Sequence, residues 1–264
     1  MLGKRVISSA VLISLISIVL FFDWLCGLVV TALIIAGLYE YSVMLRRKGI
    51  NIYQYFGIAM GAIIPLSIMF RFEPTKSWEL FFIVMALLFI LVMQFKRRDS
   101  SGVIVDISTT IFGIVYVSWL FSFIIKVRYL PGGFGSLAAL LLIVKMGDIG
   151  AFLVGSRWGK TPFLQHISPK KTMEGAVGGL CFSVLGALAS KLFLPFSCLQ
   201  LVLIALGLGV LGQLGDLSES LLKRDCQIKD SGNFFPGMGG VLDQIDSLLF
   251  TAPVFYFYLS VVMK

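Results

Sequence analysis

Leu199–Arg224 reads LQLVLIALGLGVLGQLGDLSESLLKR. From Leu199 to Gly215 it carries no charge. Asp216, Glu219, Ser220 and Lys223 then follow at i, i+3, i+4 and i+7, the spacing that sets side chains on one stripe of a helix. On a water-exposed helix the stripe facing the core is apolar. Here the stripe is polar and the rest is apolar, so the polar face suits an interior cavity and the apolar face suits lipid. The competing reading is a helix end wetted by solvent. The glycines at 207, 209, 212 and 215 suit close helix packing.

The whole chain extends this pattern. Its 264 residues are 58% hydrophobic and only 14% charged, with a net charge of +8; a soluble globular chain carries about 25% charged residues. Mean hydropathy is +0.96. Apolar runs fall at about 6–22, 24–45, 55–70, 78–95, 103–127, 134–154, 173–194, 199–222 and 244–263. A membrane-spanning helix needs roughly 20 residues, and the runs lack the alternation of barrel strands. The expected fold is therefore an all-α polytopic membrane protein with about nine transmembrane helices. The first run lacks a small-residue cleavage site before the second begins, so it reads as a retained helix.

Charge placement sets the expected orientation. One side collects Lys4 and Arg5, Arg46–Lys48, Lys96–Arg98, Arg157, Lys160, Lys170, Lys171, Lys223, Arg224 and Lys229; the other has Arg71, Lys76, Lys126, Arg128, Lys191 and Lys264. The richer side is cytoplasmic by the positive-inside rule, which places the N-terminus in the cytosol of a cell-membrane protein and turns the loops 155–172 and 223–243 inward. This rule and anionic lipid account for the positive charge; no nucleic-acid motif accompanies it. Cys26, Cys181, Cys198 and Cys226 are scattered and form neither a zinc pattern nor a disulfide framework.

Residues 1–132 are nearly featureless apolar sequence, with Glu40 and Asp106 as polar exceptions, and read as scaffold helices. Residues 133–264 hold Asp148, Glu174, Asp216, Glu219, Asp225, Asp230, Asp243 and Asp246 and read as a catalytic membrane domain. A charge at membrane depth costs roughly 2.5–3.5 kcal/mol on the insertion scale, so such groups face a wet cavity or pair with one another.

Asp243, Asp246 and Ser247 stand at i, i+3 and i+4 at the start of the last run. Simple helix-dipole capping would use the same acids. Converging with Asp216, they suit a hard cation such as Mg²⁺, since oxygen ligands without imidazole or thiolate favour it. Asp148, Glu174 and Glu219 are further cavity carboxylates in this reading; Asp148 and Lys145 could equally neutralise one another. Ser168, Lys170, Lys171 and Thr172 stand at the entrance of the seventh run, where hydroxyls, cations and free N–H groups make an anion site. The alternative there is a basic loop with no ligand. Gly155–Thr161 is one residue short of a phosphate-binding loop and follows an apolar helix, so that reading fails. His166 is the single histidine, and the chain has no G-x-S-x-G elbow for a hydrolase triad. Acids beside phosphate-type cations suggest a metal–nucleotide substrate.

The stretch Ser220–Asp246, SLLKRDCQIKDSGNFFPGMGGVLDQID, resembles the signature of the phosphatidate cytidylyltransferase (CDP-diacylglycerol synthase) family. The matching positions are Ser220, Leu222, Lys223, Arg224, Lys229, Asp230, Gly232, Phe235, Pro236, Gly239, Gly240, Val241, Asp243 and Asp246. The blocks DIGAF from Asp148, SPKKTMEGAVGG from Ser168 and GDLSES from Gly215 look like further family blocks. Met238 stands where the family has His, and Gln244 where it has Arg. The resemblance implies CTP and phosphatidate as substrates, membrane lipid as surroundings and Mg²⁺ on Asp216, Asp243 and Asp246. It implies phosphate binding by Ser168, Lys170, Lys171, Thr172, Ser220, Lys223, Arg224, Lys229 and Asp230. A homodimer is left open. The competing readings are a CTP-dependent polyprenol or phytol kinase, an ion-coupled transporter and a weakly active paralogue.

Overall fold

The computed structural model describes residues 20–72, 78–96, 101–235, 237 and 239–263. Among them the regular elements are helices: α1 (Asp23–Arg47), α2 (Gln54–Met69), α3 (Trp78–Gln94), α4 (Val103–Tyr129), α5 (Gly133–Trp158), α6 (Met173–Ala189), α7 (Cys198–Asp225) and α8 (Leu242–Val262). The expected first span lies almost wholly outside the described residues. The other eight expected runs are helical. Six of the described helices are long and apolar enough to cross a membrane. α2 and α3 are apolar but have 16 and 17 residues, short of the roughly 20 that cross a bilayer upright. α2 stops where Arg71 enters the left-handed region at φ 51, with the Phe72 N–H turned back to Ser67 O at 2.9 Å, a closure that ends a helix.

The surface identifies the solvent. Phe152 is 72% exposed and Leu203 61%, while Glu40, Glu219, Lys223 and Asp246 are buried. Large exposed apolar faces around buried polar groups invert the distribution of a water-soluble chain and match helices set in lipid. The chain is a multi-pass membrane protein.

The described residues fall into two compact units. The first holds those up to Ile125 together with Cys226–Leu242; the second holds Lys126–Asp225 and Asp243 onward. A segment late in the chain thus belongs with the first unit. The pairing of distant segments decides this, and hydropathy does not report it.

In the first unit α1 buries Val30, Ile34, Leu38, Tyr41 and Leu45 on one stripe. The middle of α4, Ile114–Trp119, is wound as a π-helix, and Ser118 there donates its hydroxyl to Gly61 O of α2 at 2.5 Å. In the second unit α5 and α6 pack through small residues. A Cβ at Gly175 would stand 2.9 Å from Ala151 O and 3.1 Å from Gly155 Cα, so only a glycine allows that approach. Gln213 of α7 donates to Ala176 O of α6 at 2.9 Å. Where α7 passes α8, a Cβ at Gly215 would collide with Asp246 O. That backbone contact brings Asp216, the next residue, beside the first turns of α8.

Candidate active site

Two residues of the polar stripe of α7, Asp216 and Lys223, line a cavity of about 600 Å³ within the second unit. Its walls include Lys145 and Asp148 from α5, Lys170, Lys171 and Thr172 before α6, and Gln213, Asp216 and Lys223 from α7. Asp243, Gln244 and Asp246 from the start of α8 complete the polar set. Acids and cations from four separate chain segments therefore share one space.

Lysines and acids pair along the walls. Lys171 Nζ lies 2.7 Å from Asp216 Oδ2. Lys145 Nζ lies 3.0 Å from Asp148 Oδ2 and also donates to Gln244 O at 3.1 Å. Ser247 Oγ donates to the same Asp148 oxygen at 3.3 Å. Lys223 Nζ donates to Asp243 Oδ1 at 2.5 Å and forms an ion pair with Glu219. Asp246 differs: it is buried, its carboxylate accepts the Ser247 N–H at 2.6 Å, and none of the ion pairs between described residues includes it.

The loop before α6 is held by its own chemistry. Phe163 N–H donates to Lys171 O and Met173 N–H to Thr161 O, both at 2.9 Å, so the loop folds back on itself. Thr172 caps α6 by accepting the Gly175 N–H at 3.2 Å, as threonine does at a helix start. Glu174 accepts Lys160 N–H at 3.1 Å and the Thr161 hydroxyl at 2.9 Å. Lys170 and Lys171 stand just before the positive dipole end of α6 and line the cavity wall, a setting that favours an anion.

These placements sort the residues read from sequence. Asp148, Lys170, Lys171, Thr172, Asp216, Lys223, Asp243 and Asp246 come together. Glu174 and Glu219, expected as cavity carboxylates, serve otherwise: Glu174 ties down its loop, and Glu219 lies buried behind Lys223. Ser168 and Ser220 are not among the wall residues, and Arg224 donates its Nε to Ile167 O at 3.1 Å, bracing the loop. Lys229 and Asp230 belong to the first unit, where they line a separate cavity with Arg47 and Glu40. Met238 lies outside the described residues.

Among the described residues, no three acid, His or Cys side chains form a group placed to hold a metal ion. Asp216, Asp243 and Asp246 all line the cavity, with Lys171 beside Asp216 and Lys223 beside Asp243. The donor chemistry nonetheless fits a hard divalent cation: the walls offer carboxylate oxygens without His or Cys, and Asp246 is a buried acid outside the ion pairs.

The missed residue is Glu40. This α1 carboxylate is buried and accepts hydrogen bonds from Ser231 Oγ at 3.0 Å, Val241 N at 2.9 Å and Leu242 N at 3.0 Å. The only sequence signal was a lone acid inside an apolar run.

An apolar exterior and a cavity of lysine–carboxylate pairs beside a helix start define an integral membrane protein with a charged cavity among its helices. The chain belongs to the cytidylyltransferase family, whose model matches residues 3–262. It is 32% identical to a phosphatidate cytidylyltransferase of Synechocystis sp. over a 293-residue alignment covering 98% of this chain and 97% of that one. A phosphatidate cytidylyltransferase of Thermotoga maritima is 30% identical over 253 residues, 89% of this chain and 87% of the other. One of Bacillus subtilis is 42% identical over 149 residues, 55% of each chain.

Proposed function

We propose that the protein transfers the cytidylyl group of CTP to phosphatidate, giving CDP-diacylglycerol and pyrophosphate. The observation that carries this reading is the cavity of paired lysines and carboxylates, in a chain whose full-length relatives bear that enzyme's name. A phosphatidate oxygen attacks the α-phosphorus of CTP, the bond from that phosphorus to the bridging oxygen breaks, and pyrophosphate leaves. The phosphate monoester is already largely ionised near neutral pH, its second pKa being about 6, so no strong general base is required.

Nucleotidyl transfer depends chiefly on charge neutralisation and positioning. In this reading Asp216, Asp243 and Asp246 would hold a Mg²⁺ ion, and Lys171 and Lys223 would serve phosphate oxygens. Bound there, the ion would supply charge neutralisation for the leaving pyrophosphate. Lys170, Thr172 and the α6 N-terminus add a second phosphate contact. Lys229 and Asp230 of the matching signature are assigned to phosphate binding by the resemblance.

The placement of Lys and Arg supports nine crossings with a cytosolic N-terminus, and a cavity open to cytosolic CTP. The acyl chains of phosphatidate would remain in the bilayer. Gln244 stands on the cavity wall where the resembling family carries Arg, which removes one cation from the phosphate surroundings.

The test is turnover of purified protein with phosphatidate, Mg²⁺ and CTP labelled either in the cytosine ring or at the γ-phosphate. Ring label in the lipid product is expected. γ-Phosphate in lipid would instead make the protein a CTP-dependent lipid kinase. A folded preparation that binds CTP and yields no labelled lipid would refute the transfer.

A further inference from the structure

Glu40 is an unusual residue for a membrane-depth helix. It is a carboxylate, 7% exposed, and among the described ion pairs it has no cation. Its oxygens are instead filled by one hydroxyl and two backbone N–H groups, all from the segment Ser231–Leu242. Charged acceptors make the stronger hydrogen bonds, roughly twice neutral ones. A buried acid otherwise lacking compensation therefore has a strong preference for the one loop conformation that presents these donors.

The loop is cut to fit that carboxylate. A Cβ at Gly232 would collide with Glu40 Oε1 and lie 2.8 Å from Glu40 Cδ. A Cβ at Gly240 would lie 2.5 Å from Glu40 Oε2 and collide with Ser231 Oγ. Two glycines thus leave room for one side chain, from opposite ends of the loop. The segment so held begins directly after Asp230 and ends directly before Asp243, so both signature acids leave the clamp by a single peptide bond.

We infer that Glu40 is a positioning residue for the proposed reaction: its carboxylate sets the backbone of Ser231–Leu242, and through it the chain from which Lys229–Asp230 and Asp243 extend. This rests on the cytidylyl-transfer reading for its catalytic consequence, and on the clamp geometry alone for its structural one. Glu40→Gln keeps the size and one acceptor oxygen but turns an NH2 group toward N–H donors, so at least one of the three bonds is lost.

The experiment compares full-length wild type, Glu40→Gln and Ser231→Ala in detergent. Hydrogen exchange is read at peptides covering Val241 and Leu242, and kinetics are read with CTP, Mg²⁺ and phosphatidate. The clamp predicts faster exchange in Ser231–Leu242 for both variants, larger for Glu40→Gln, with exchange in α5–α7 unchanged. Misplacing a reacting group by about 1 Å costs roughly 100-fold, so kcat for Glu40→Gln should fall at least about tenfold. KM for CTP should change less than kcat, since Lys171 and Asp216 stand on other wall segments and keep their pairing.

Unchanged loop exchange in both variants overturns the clamp. Faster exchange with unaltered kcat overturns its role in the reaction. If Glu40→Gln fails to fold, Ser231→Ala, which removes a single donor, decides on the same two readings. Inactive wild type would count against the transfer reading, and the exchange result would still decide the clamp.

Discussion

Replacing Lys223 by Met separates what the α7 stripe does for the fold from what it does for chemistry. Lys223 stands between two acids, and its side chain is only 11% exposed. Glu219 is 2% exposed, and Lys223 is its ion-pair partner in the structure. Removing the ammonium leaves that carboxylate buried without compensation, and leaves Asp243 short of one close donor. Breaking a buried pair from one side costs about 3–5 kcal/mol, against about 0–1 kcal/mol for an exposed one. Glu219 is the larger contributor, because water reaches Asp243 through the cavity.

The measurement is equilibrium unfolding in detergent for Lys223→Met, Glu219→Gln and the double variant. Lys223→Met should lose about 3 kcal/mol or more, and Glu219→Gln added to it should restore about 2 kcal/mol by neutralising the stranded acid. The restored double variant should still turn over at least about 100-fold more slowly than wild type, because the cation facing phosphate is gone. A loss under about 1 kcal/mol from Lys223→Met, or no restoration in the double variant, would refute the argument that this lysine compensates a buried charge.

Other consequences are simpler. Asp246→Asn should abolish metal-dependent turnover while binding of phosphatidate persists; near-normal turnover would remove Asp246 from the cation site. Chelation of divalent ions should stop product formation, and Mg²⁺ should restore it, measured as labelled CDP-lipid. Gly215→Ala drives a methyl group into Asp246 O and should cost about 1–3 kcal/mol in unfolding experiments along with most of the turnover. Gly207→Ala, where a Cβ meets nothing within 4 Å, should be neutral or up to about 1 kcal/mol stabilising by helix propensity.

Helices were legible because lipid permits few alternatives: an apolar run of sufficient length must bond its own backbone internally. The shortness of α2 and α3 was legible as well, since the runs at about 55–70 and 78–95 fall below the roughly 20 residues of an upright span. The second-unit cavity was legible from the i, i+3 spacing of Asp216–Glu219 and Asp243–Asp246, which places acids on facing helix stripes. Which acid of each stripe reaches the cavity was not: Glu219 turns inward behind Lys223, while Asp216 remains on the wall. Glu174 was read as a cavity carboxylate but tethers the Lys160–Thr161 turn, a role set by a return of the backbone that spacing does not encode. Glu40 escaped because its partners lie far along the chain.

That distance has a consequence for how the protein is made. Glu40 and Ser231 are 191 residues apart, and Glu40 and Leu242 are 202 apart. Synthesis proceeds from the N-terminus at about 5–20 residues per second. The α1 carboxylate is thus threaded into the bilayer many seconds before any of its three donors exists. During that interval it must stay hydrated or borrow another partner. The unit synthesised first is therefore the one that cannot be finished until nearly the last helix emerges, and insertion factors that shelter polar groups in the membrane would have their longest task at Glu40.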